Sequence, residues 1–123
     1  MKIRISNNSI RLRLSKTDVA QLKEYKQVTG KTVVSNQEIF RYTLRSKPGI
    51  DKMNATFQQE EILITIPILK EEVITGTNQI GIEDQIENGT DEKLHLLIEK
   101  DLKCLDDSRG DQSDMYDHPR GAC

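Results

Sequence analysis

The sequence is poor in the residues that usually mark a functional class. It has no Trp, aromatic residues make up 4 % of its 123 residues, and its two cysteines are Cys104 and Cys123. Two cysteines make no disulfide framework and favour a reducing cytoplasm. No run approaches the roughly 18 apolar residues of a membrane span, and the N-terminus lacks the apolar region of an export signal. We expect a cytoplasmic protein with a modest core of Ile, Leu and Val.

Charge is divided unevenly along the chain although the net charge is only −2. Residues 1–50 hold eleven Lys or Arg against three Asp or Glu, a net charge of +8, and the remainder carries −10. This segregation indicates either an anionic partner for the first half or attraction between the two halves. The sequence leaves both interpretations open.

Alternation of apolar and polar residues predicts eight short strands. They cover residues 2–5, 10–14, 31–34, 39–45, 55–57, 62–67, 79–83 and 93–100. A helix that is capped by Ser15 or Thr17 follows the second strand, and Gly30 is expected to end that region. A weaker helical pattern covers Leu69 to Ile74, and Pro48-Gly49 marks the break between the two halves.

The order strand, strand, helix, strand, strand therefore occurs twice. Ile62 and Ile64 repeat Ile10 and Leu12 after 52 residues. One half leaves unpaired strand edges, whereas two halves that interleave their hairpins can close a barrel. We predict a mainly β (α+β) fold, a duplicated half-barrel that closes into a small pseudo-two-fold barrel. The expected units are a barrel domain 1–105, with a basic repeat 1–47 and an acidic repeat 53–105, and an acidic polar tail 106–123. An open eight-stranded sheet with helices on one side fits the same pattern.

The stretch "NSIRLRLSK" resembles the DNA-binding module of AbrB- and MazE-type antitoxin regulators, which read N-S-x-x-V-R-I-P-K before a short helix. The matching residues are Asn8, Ser9, Leu12, Arg13 and Leu14. Ser15 stands where that family has proline. In that family two chains of about 50 residues swap hairpins into one barrel, so the resemblance implies that a tandem copy does this within one chain.

The second copy departs from this motif. "ILITIP" retains the proline as Pro67 but has Thr65 in place of the arginine. The whole chain, from "MKIRI" to "DQSD", is also similar to a small uncharacterised group of bacterial proteins. That similarity implies no function.

The candidate site is a row of cations on the strands of the first half. If Ile and Leu fill the core, the cations point outward and can contact the phosphates of a nucleic acid or an acidic protein partner. The candidate residues are Lys2, Arg4, Arg11, Arg13, Arg41 and Arg45. The matching face of the second copy carries Glu60, Glu61 and Thr65, so we expect only one of the two copies to contact a nucleic acid. The predicted function is a non-enzymatic binding module, with a solvated strand face as the competing interpretation.

The alternative is an anion- or polyphosphate-binding barrel, or a metal-dependent phosphate-processing enzyme, with the arginines turned into a cationic lumen. Such an enzyme needs paired carboxylates for a divalent metal, and Glu99 and Asp101 are the nearest candidates. Burying so many cations without counterions is costly.

"TGKT" at residues 29–32 is no phosphate loop, because Tyr25 replaces its first glycine. The sequence predicts no catalytic residue, cofactor site or metal site.

The tail contains several carboxylates and one histidine in a polar setting. They are Asp106, Asp107, Asp111, Asp114, Asp117 and His118. Their spacing matches no zinc or calcium signature, and such tails are usually disordered or lie over their own domain. If the tail masks the basic strands, deleting residues 106–123 is expected to raise the affinity for anions.

Overall fold

The computed structural model describes residues 1–102 and 114–117, and its secondary structure is mostly β with two helices. The strands are β1 (Lys2–Ser6), β2 (Ser9–Leu14), β3 (Gln27–Ser35), β4 (Glu38–Lys47), β5 (Asn54–Gln58), β6 (Glu61–Pro67), β7 (Gly81–Ile86) and β8 (Leu94–Lys100), and the helices are α1 (Lys16–Tyr25) and α2 (Ile68–Gly76). The predicted element order is thus present in both halves. Within the described ranges, neither helix has the length and apolarity needed to cross a membrane.

The strands form two four-stranded sheets. Sheet A has the order β1-β2-β8-β7, and sheet B has the order β3-β4-β6-β5. In each sheet two antiparallel hairpins are joined by a parallel central pair, β2 with β8 and β4 with β6. Each half of the chain therefore contributes one hairpin to each sheet, and the hairpins of the two halves interleave.

The closed barrel that the sequence predicts is not found. Among residues 1–102 and 114–117, no strand ladder joins sheet A to sheet B. β1 and β7 remain edges of sheet A, and β3 and β5 remain edges of sheet B. The single open sheet of eight strands, the other expectation, is also absent from this part of the chain. Closure would need hydrogen-bonded pairing of these edges, and the hairpins are instead paired in two separate sets.

The strand ladders of the two sheets correspond residue by residue. In the β1–β2 hairpin Ile3 pairs with Leu12, and in the β5–β6 hairpin Ala55 pairs with Ile64, 52 residues later in both strands. The β3–β4 and β7–β8 ladders correspond in the same way with an offset of 54 residues. Sheet B thus repeats the pairing of sheet A, and positions in one sheet can be compared with their equivalents in the other.

The core consists of branched aliphatic side chains from both sheets and both helices. Its buried apolar residues are Ile10, Leu12, Leu14, Val19, Leu22, Val28, Leu44, Met53, Ile62, Ile64, Ile66, Ile74, Ile82, Leu96 and Ile98. Alternate residues of β2 and β6 are buried, as the period of a strand requires. The intervening residues therefore lie on the outer faces of the two sheets.

Helix α1 begins with Ser15, one of the two predicted caps. The Ser15 hydroxyl accepts a hydrogen bond from the Asp18 N–H at 3.2 Å, and the Asp18 carboxylate accepts one from the Ser15 N–H at 2.9 Å. This reciprocal pair is a capping box. The prediction that Gly30 ends the helical region is wrong, because Gly30 lies inside β3. Lys26 ends α1 instead, with a left-handed φ of 61° and its N–H donating to the Leu22 carbonyl.

Candidate functional site

The outer face of sheet A carries four of the predicted cations. Because Leu12 and its alternate neighbours face the core, Arg11 and Arg13 lie on the opposite side of β2. In the β1–β2 ladder Lys2 is opposite Arg13, and Arg4 is opposite Arg11. We call these four side chains, Lys2, Arg4, Arg11 and Arg13, the basic face.

Like charges directly opposite each other destabilise a strand pair, and the fold offsets this in part. The Lys2 ammonium forms an ion pair with the Asp101 carboxylate at 2.9 Å. The Arg11 guanidinium forms one with the Glu99 carboxylate at 2.8 Å. One cation of each cross-strand pair is thus neutralised by a carboxylate from the end of β8 or just beyond it.

The other cation of each pair has no such partner. Arg4 is exposed and Arg13 is partly exposed, and neither has an ion pair with any described carboxylate. They are diagonal neighbours on β1 and β2, a placement that separates side chains by about 7–8 Å. The basic face therefore presents two guanidinium groups that are available to an external anion.

The positive charge ends at the middle of sheet A. In the outer rows of β7 and β8, Leu97 lies beside Arg11, and His95 contacts Glu83 at 3.0 Å. The face consequently changes from basic on β1 and β2 to mixed and acidic on β7 and β8. An anionic partner would contact two strands rather than the full width of the sheet.

Arg41 and Arg45, the other two predicted contacts, lie in sheet B. The Arg45 Nε donates to the Gln27 side chain at 3.0 Å, and Arg41 is the register partner of Glu61. Both side chains are exposed on β4, on the outer face of the second sheet. The structure therefore brings four of the six candidates together and leaves these two on a different sheet.

The cationic lumen of the alternative interpretation would need the arginines of β2 inside. Arg11 and Arg13 alternate with the buried residues of β2, so they point away from the core. The proposed metal pair, Glu99 and Asp101, is engaged by Arg11 and Lys2. Among the residues that the structure describes, no group of three or more His, Cys, Asp or Glu is placed to hold a metal ion.

The described part of the tail, residues 114–117, contacts the start of α1. The Asp114 carbonyl accepts a hydrogen bond from the Lys16 N–H at 3.1 Å, and its carboxylate accepts one from the Thr17 N–H at 3.2 Å. Tyr116 forms a parallel bridge with Leu102. Masking of the basic face by the tail stays a prediction. Its remaining residues, including Asp106, Asp107, Asp111, His118 and Cys123, lie outside the described ranges, and so does Cys104 before it.

Three side chains at or next to this contact have shifted pKa values. Hydrogen bonds from Ser15, and then from Thr17, lower the pKa of the Asp114 carboxyl. Burial raises the pKa of the Tyr116 phenol, and burial lowers the pKa of the Lys100 ammonium. The Tyr116 ring lies 5.2 Å from the Lys100 nitrogen. Residues 114–117 are thus held at one place by hydrogen bonds and by a cation–π contact.

Sequence reasoning missed the neutralising role of Asp101 and Glu99. Their contacts depend on β8 lying parallel to β2, a pairing between residues more than 80 positions apart. Attraction between the halves was one of the two interpretations of the charge segregation, and these two ion pairs are a local instance of it.

Comparison with known sequences identifies the family. The model of a family of unknown function (DUF7009) matches residues 1–120. The chain belongs to this family. Neither the curated proteins nor the solved structures contain a match to the chain. The comparisons show no relation to AbrB or MazE. Because the function of the DUF7009 family is unknown, membership assigns no ligand, and a ligand must be inferred from the site.

Proposed function

We propose that this protein is a non-enzymatic binding module whose basic face binds the phosphates of a nucleic acid. The observation that carries the proposal is the pair Arg4 and Arg13, two guanidinium groups on a paired sheet that form no ion pair with a described carboxylate, although Glu99, the ion-pair partner of Arg11, is the register partner of Arg13. Guanidinium groups bind phosphate oxygens through two parallel hydrogen bonds, which a strand can present in fixed geometry.

The cross-strand arrangement supports an anionic ligand. Two pairs of like charges face each other across β1 and β2, and each pair weakens the hairpin. An anion between Arg4 and Arg13 would reduce this repulsion, so ligand binding would stabilise the sheet. An acidic protein surface offers the same charge, but it lacks the regular phosphate row that contacts a strand face repeatedly.

The expected binding is weak, sensitive to salt and independent of base sequence. The basic face contains four cations, and two of them must exchange an intramolecular carboxylate for a phosphate. Contacts to the phosphate backbone carry no sequence information. The face therefore suits a module that adds affinity to a larger assembly.

We also infer that the chain arose by duplication of a unit of two hairpins and one helix, as the AbrB and MazE resemblance implies. The support is the matching strand registers of the two sheets. In the second copy, Thr56 and Thr65 occupy the positions of Arg4 and Arg13. After such a duplication the binding face is present in one copy, because the second copy has threonines at these two positions.

The test is a titration of short labelled DNA and RNA duplexes, with poly-glutamate as a protein-like anion, over a salt series. We expect binding at low salt with a log–log salt slope of about −2 to −4, consistent with two to four phosphate contacts. No binding of either nucleic acid at low salt would overturn the proposal. Binding of poly-glutamate alone would assign the basic face to an acidic protein instead.

A further inference from the structure

A second surface, at the hairpin tips of sheet B, has the opposite chemistry. Here a cleft of about 280 Å³ opens between the tips of the β3–β4 and β5–β6 hairpins. Its lining residues are Val34, Glu38, Ile39, Phe40, Phe57 and Glu60. Phe57 is 69 % exposed and Val34 is 70 % exposed, so large apolar side chains face water at this place. The cleft is apolar in its walls and carries two carboxylates.

At the equivalent place in sheet A, two side chains at the hairpin tips form a hydrogen bond with each other. Asn8 corresponds to Glu60, since the carbonyls of both accept the same backbone hydrogen bond, from His95 at 2.8 Å and from Arg41 at 3.0 Å. In sheet A the Asn8 side-chain amide donates to the Glu92 carboxylate at 2.9 Å. The carboxylate at the tip of sheet A therefore has a hydrogen-bond donor within the protein.

Sheet B lacks the donor that makes this contact. Glu92 corresponds to Glu38, 54 residues earlier in the matching hairpin. The tip of sheet B consequently has a carboxylate at both positions, Glu38 and Glu60, and two carboxylates cannot donate to each other when ionised. Neither forms an ion pair with a described cation. A cationic group placed between them would supply the missing donor.

We propose that this cleft binds a peptide segment of a partner protein in which an Arg or Lys side chain adjoins a large apolar one. The apolar side chain would pack against Phe57, Phe40 and Val34, and the cation would bind the carboxylates of Glu38 and Glu60. Charge complementarity at the rim and apolar area in the walls together define this chemistry.

The free strand edge beside the cleft favours an extended peptide over a small cation. β3 pairs only with β4 among the described strands, so its other edge is open next to Val34. Extended peptides bind such edges through backbone hydrogen bonds, and alternate side chains enter neighbouring pockets. For Ca²⁺, the two carboxylates supply at most four of the six to eight oxygen ligands that this ion takes.

The test uses the full chain and three matched peptides, GSRFTS, GSEFTS and GSRSTS, in NMR titrations of the backbone amides. We expect GSRFTS to shift amides around Val34 and Phe57 and to bind at least about tenfold more tightly than either control peptide. The double variant Glu38→Gln/Glu60→Gln should lose at least about fivefold in affinity for GSRFTS. The matched variant Glu92→Gln, at the equivalent tip of sheet A, should bind GSRFTS like the wild type.

A charge reversal makes the assignment sharper. The variant Glu38→Lys/Glu60→Lys should prefer GSEFTS over GSRFTS, because the rim charge decides the choice while the apolar wall is kept. Equal binding of the three peptides, or shifts away from the cleft, would overturn the proposal. Sedimentation velocity adds a second test. A dimer that Phe57→Thr dissociates would show that a second copy covers the cleft and would also overturn it.

Discussion

Arg4 and Arg11 face each other across β1 and β2, and of the two only Arg11 has a carboxylate, Glu99, within ion-pair distance among the described residues. The two guanidinium groups repel each other across the strands, and only the charge of Arg11 is neutralised by a carboxylate. The Arg4 guanidinium stays available to solvent and to anions. This local imbalance, rather than the net charge of −2, makes sheet A a candidate for phosphate binding.

A methyl group at Gly30 should destabilise the fold. An added Cβ would meet the ring of Tyr42, its register partner on β4, and that ring is held by a hydrogen bond from its hydroxyl to the Met1 carbonyl at 2.9 Å. We expect Gly30→Ala to lower the free energy of unfolding by about 1–3 kcal/mol, as overpacking does. Urea unfolding measures this.

Gly76→Ala is the matched control. Nothing lies within 4 Å of a Cβ at Gly76, at the end of α2. This substitution should leave the free energy of unfolding within about 0.5 kcal/mol of the wild type or raise it slightly. If both variants were equally stable, the Tyr42 ring would move away without cost and the steric explanation would fail.

The role of Gly30 also shows where sequence reasoning reaches its limit. Glycine usually marks an end or a turn, and the sequence predicted that Gly30 ends the helical region. In the structure Gly30 lies inside a strand, where the Tyr42 ring packs so close to its backbone that a Cβ would not fit. By contrast, the alternation in β2 and the cap of α1 depend on neighbours within four residues. The alternation was predicted correctly, and Ser15 was one of the two predicted caps.

The sites that depend on pairing between distant strands were less predictable. The outward direction of Arg11 and Arg13 follows from the alternation in β2, but the ion pair of Arg11 with Glu99 needs the parallel β2–β8 ladder. The cleft of sheet B was missed because Glu38 and Glu60 become neighbours of one cavity only when the two hairpin tips meet. The internal repeat offered a signal, since Glu60 stands 52 residues after Asn8.

The ion pair between Lys26, at the end of α1, and the buried Glu71 of α2 should respond unequally to the loss of its two partners. Glu71 is 1 % exposed, and its carboxylate contacts the Lys26 ammonium and accepts a hydrogen bond from the Thr75 hydroxyl at 2.9 Å. Lys26→Met leaves a buried carboxylate without its cation, and we expect it to cost about 2–4 kcal/mol.

Removal of the carboxylate should be much milder. Glu71 occupies the position that Val19 holds in α1, 52 residues earlier, and the Lys26 side chain is half exposed and can be hydrated again. We expect Glu71→Val to stay within about 1 kcal/mol of the wild type in urea unfolding. Equal losses from Lys26→Met and Glu71→Val would show that burial of the carboxylate does not decide the stability here.

The contact of residues 114–117 with α1 should weaken both at low pH and at high pH, and we call these two pH values its acid limit and its alkaline limit. The pKa of Asp114 is lowered, so its contribution is present above the ordinary carboxyl range and is lost as the pH falls through the lowered pKa. The pKa of Tyr116 is raised by burial, so its contribution is lost as the pH rises beyond the ordinary value of about 10.

Amide hydrogen exchange of Tyr116 measures this contact, because its N–H donates to the Asp101 carbonyl at 2.7 Å. Exchange should accelerate beyond the intrinsic pH dependence at both limits. In Asp114→Asn, which keeps an acceptor but no charge, the acid limit should disappear. An unchanged acid limit in this variant would mean that another carboxyl controls the contact.

Cutting the chain between the two halves tests the interleaved hairpins. Each sheet takes one hairpin from each half, so fragments 1–49 and 50–123 should lack a stable fold as separate monomers. Mixed in equal amounts, they should regain the circular dichroism spectrum of the intact chain and form a one-to-one complex in native mass spectrometry. A fragment that folds alone as a monomer would contradict the interleaved pairing.

The salt dependence of nucleic-acid binding by two double variants is the most direct test of the role of the basic face. Arg4→Gln/Arg13→Gln removes the two available guanidinium groups of sheet A, and Arg41→Gln/Arg45→Gln removes the two on sheet B. The first variant should reduce the log–log salt slope for a DNA duplex by about 2, and the second should leave it unchanged. An unchanged slope in the first variant, or an equal reduction in both, would contradict binding through Arg4 and Arg13.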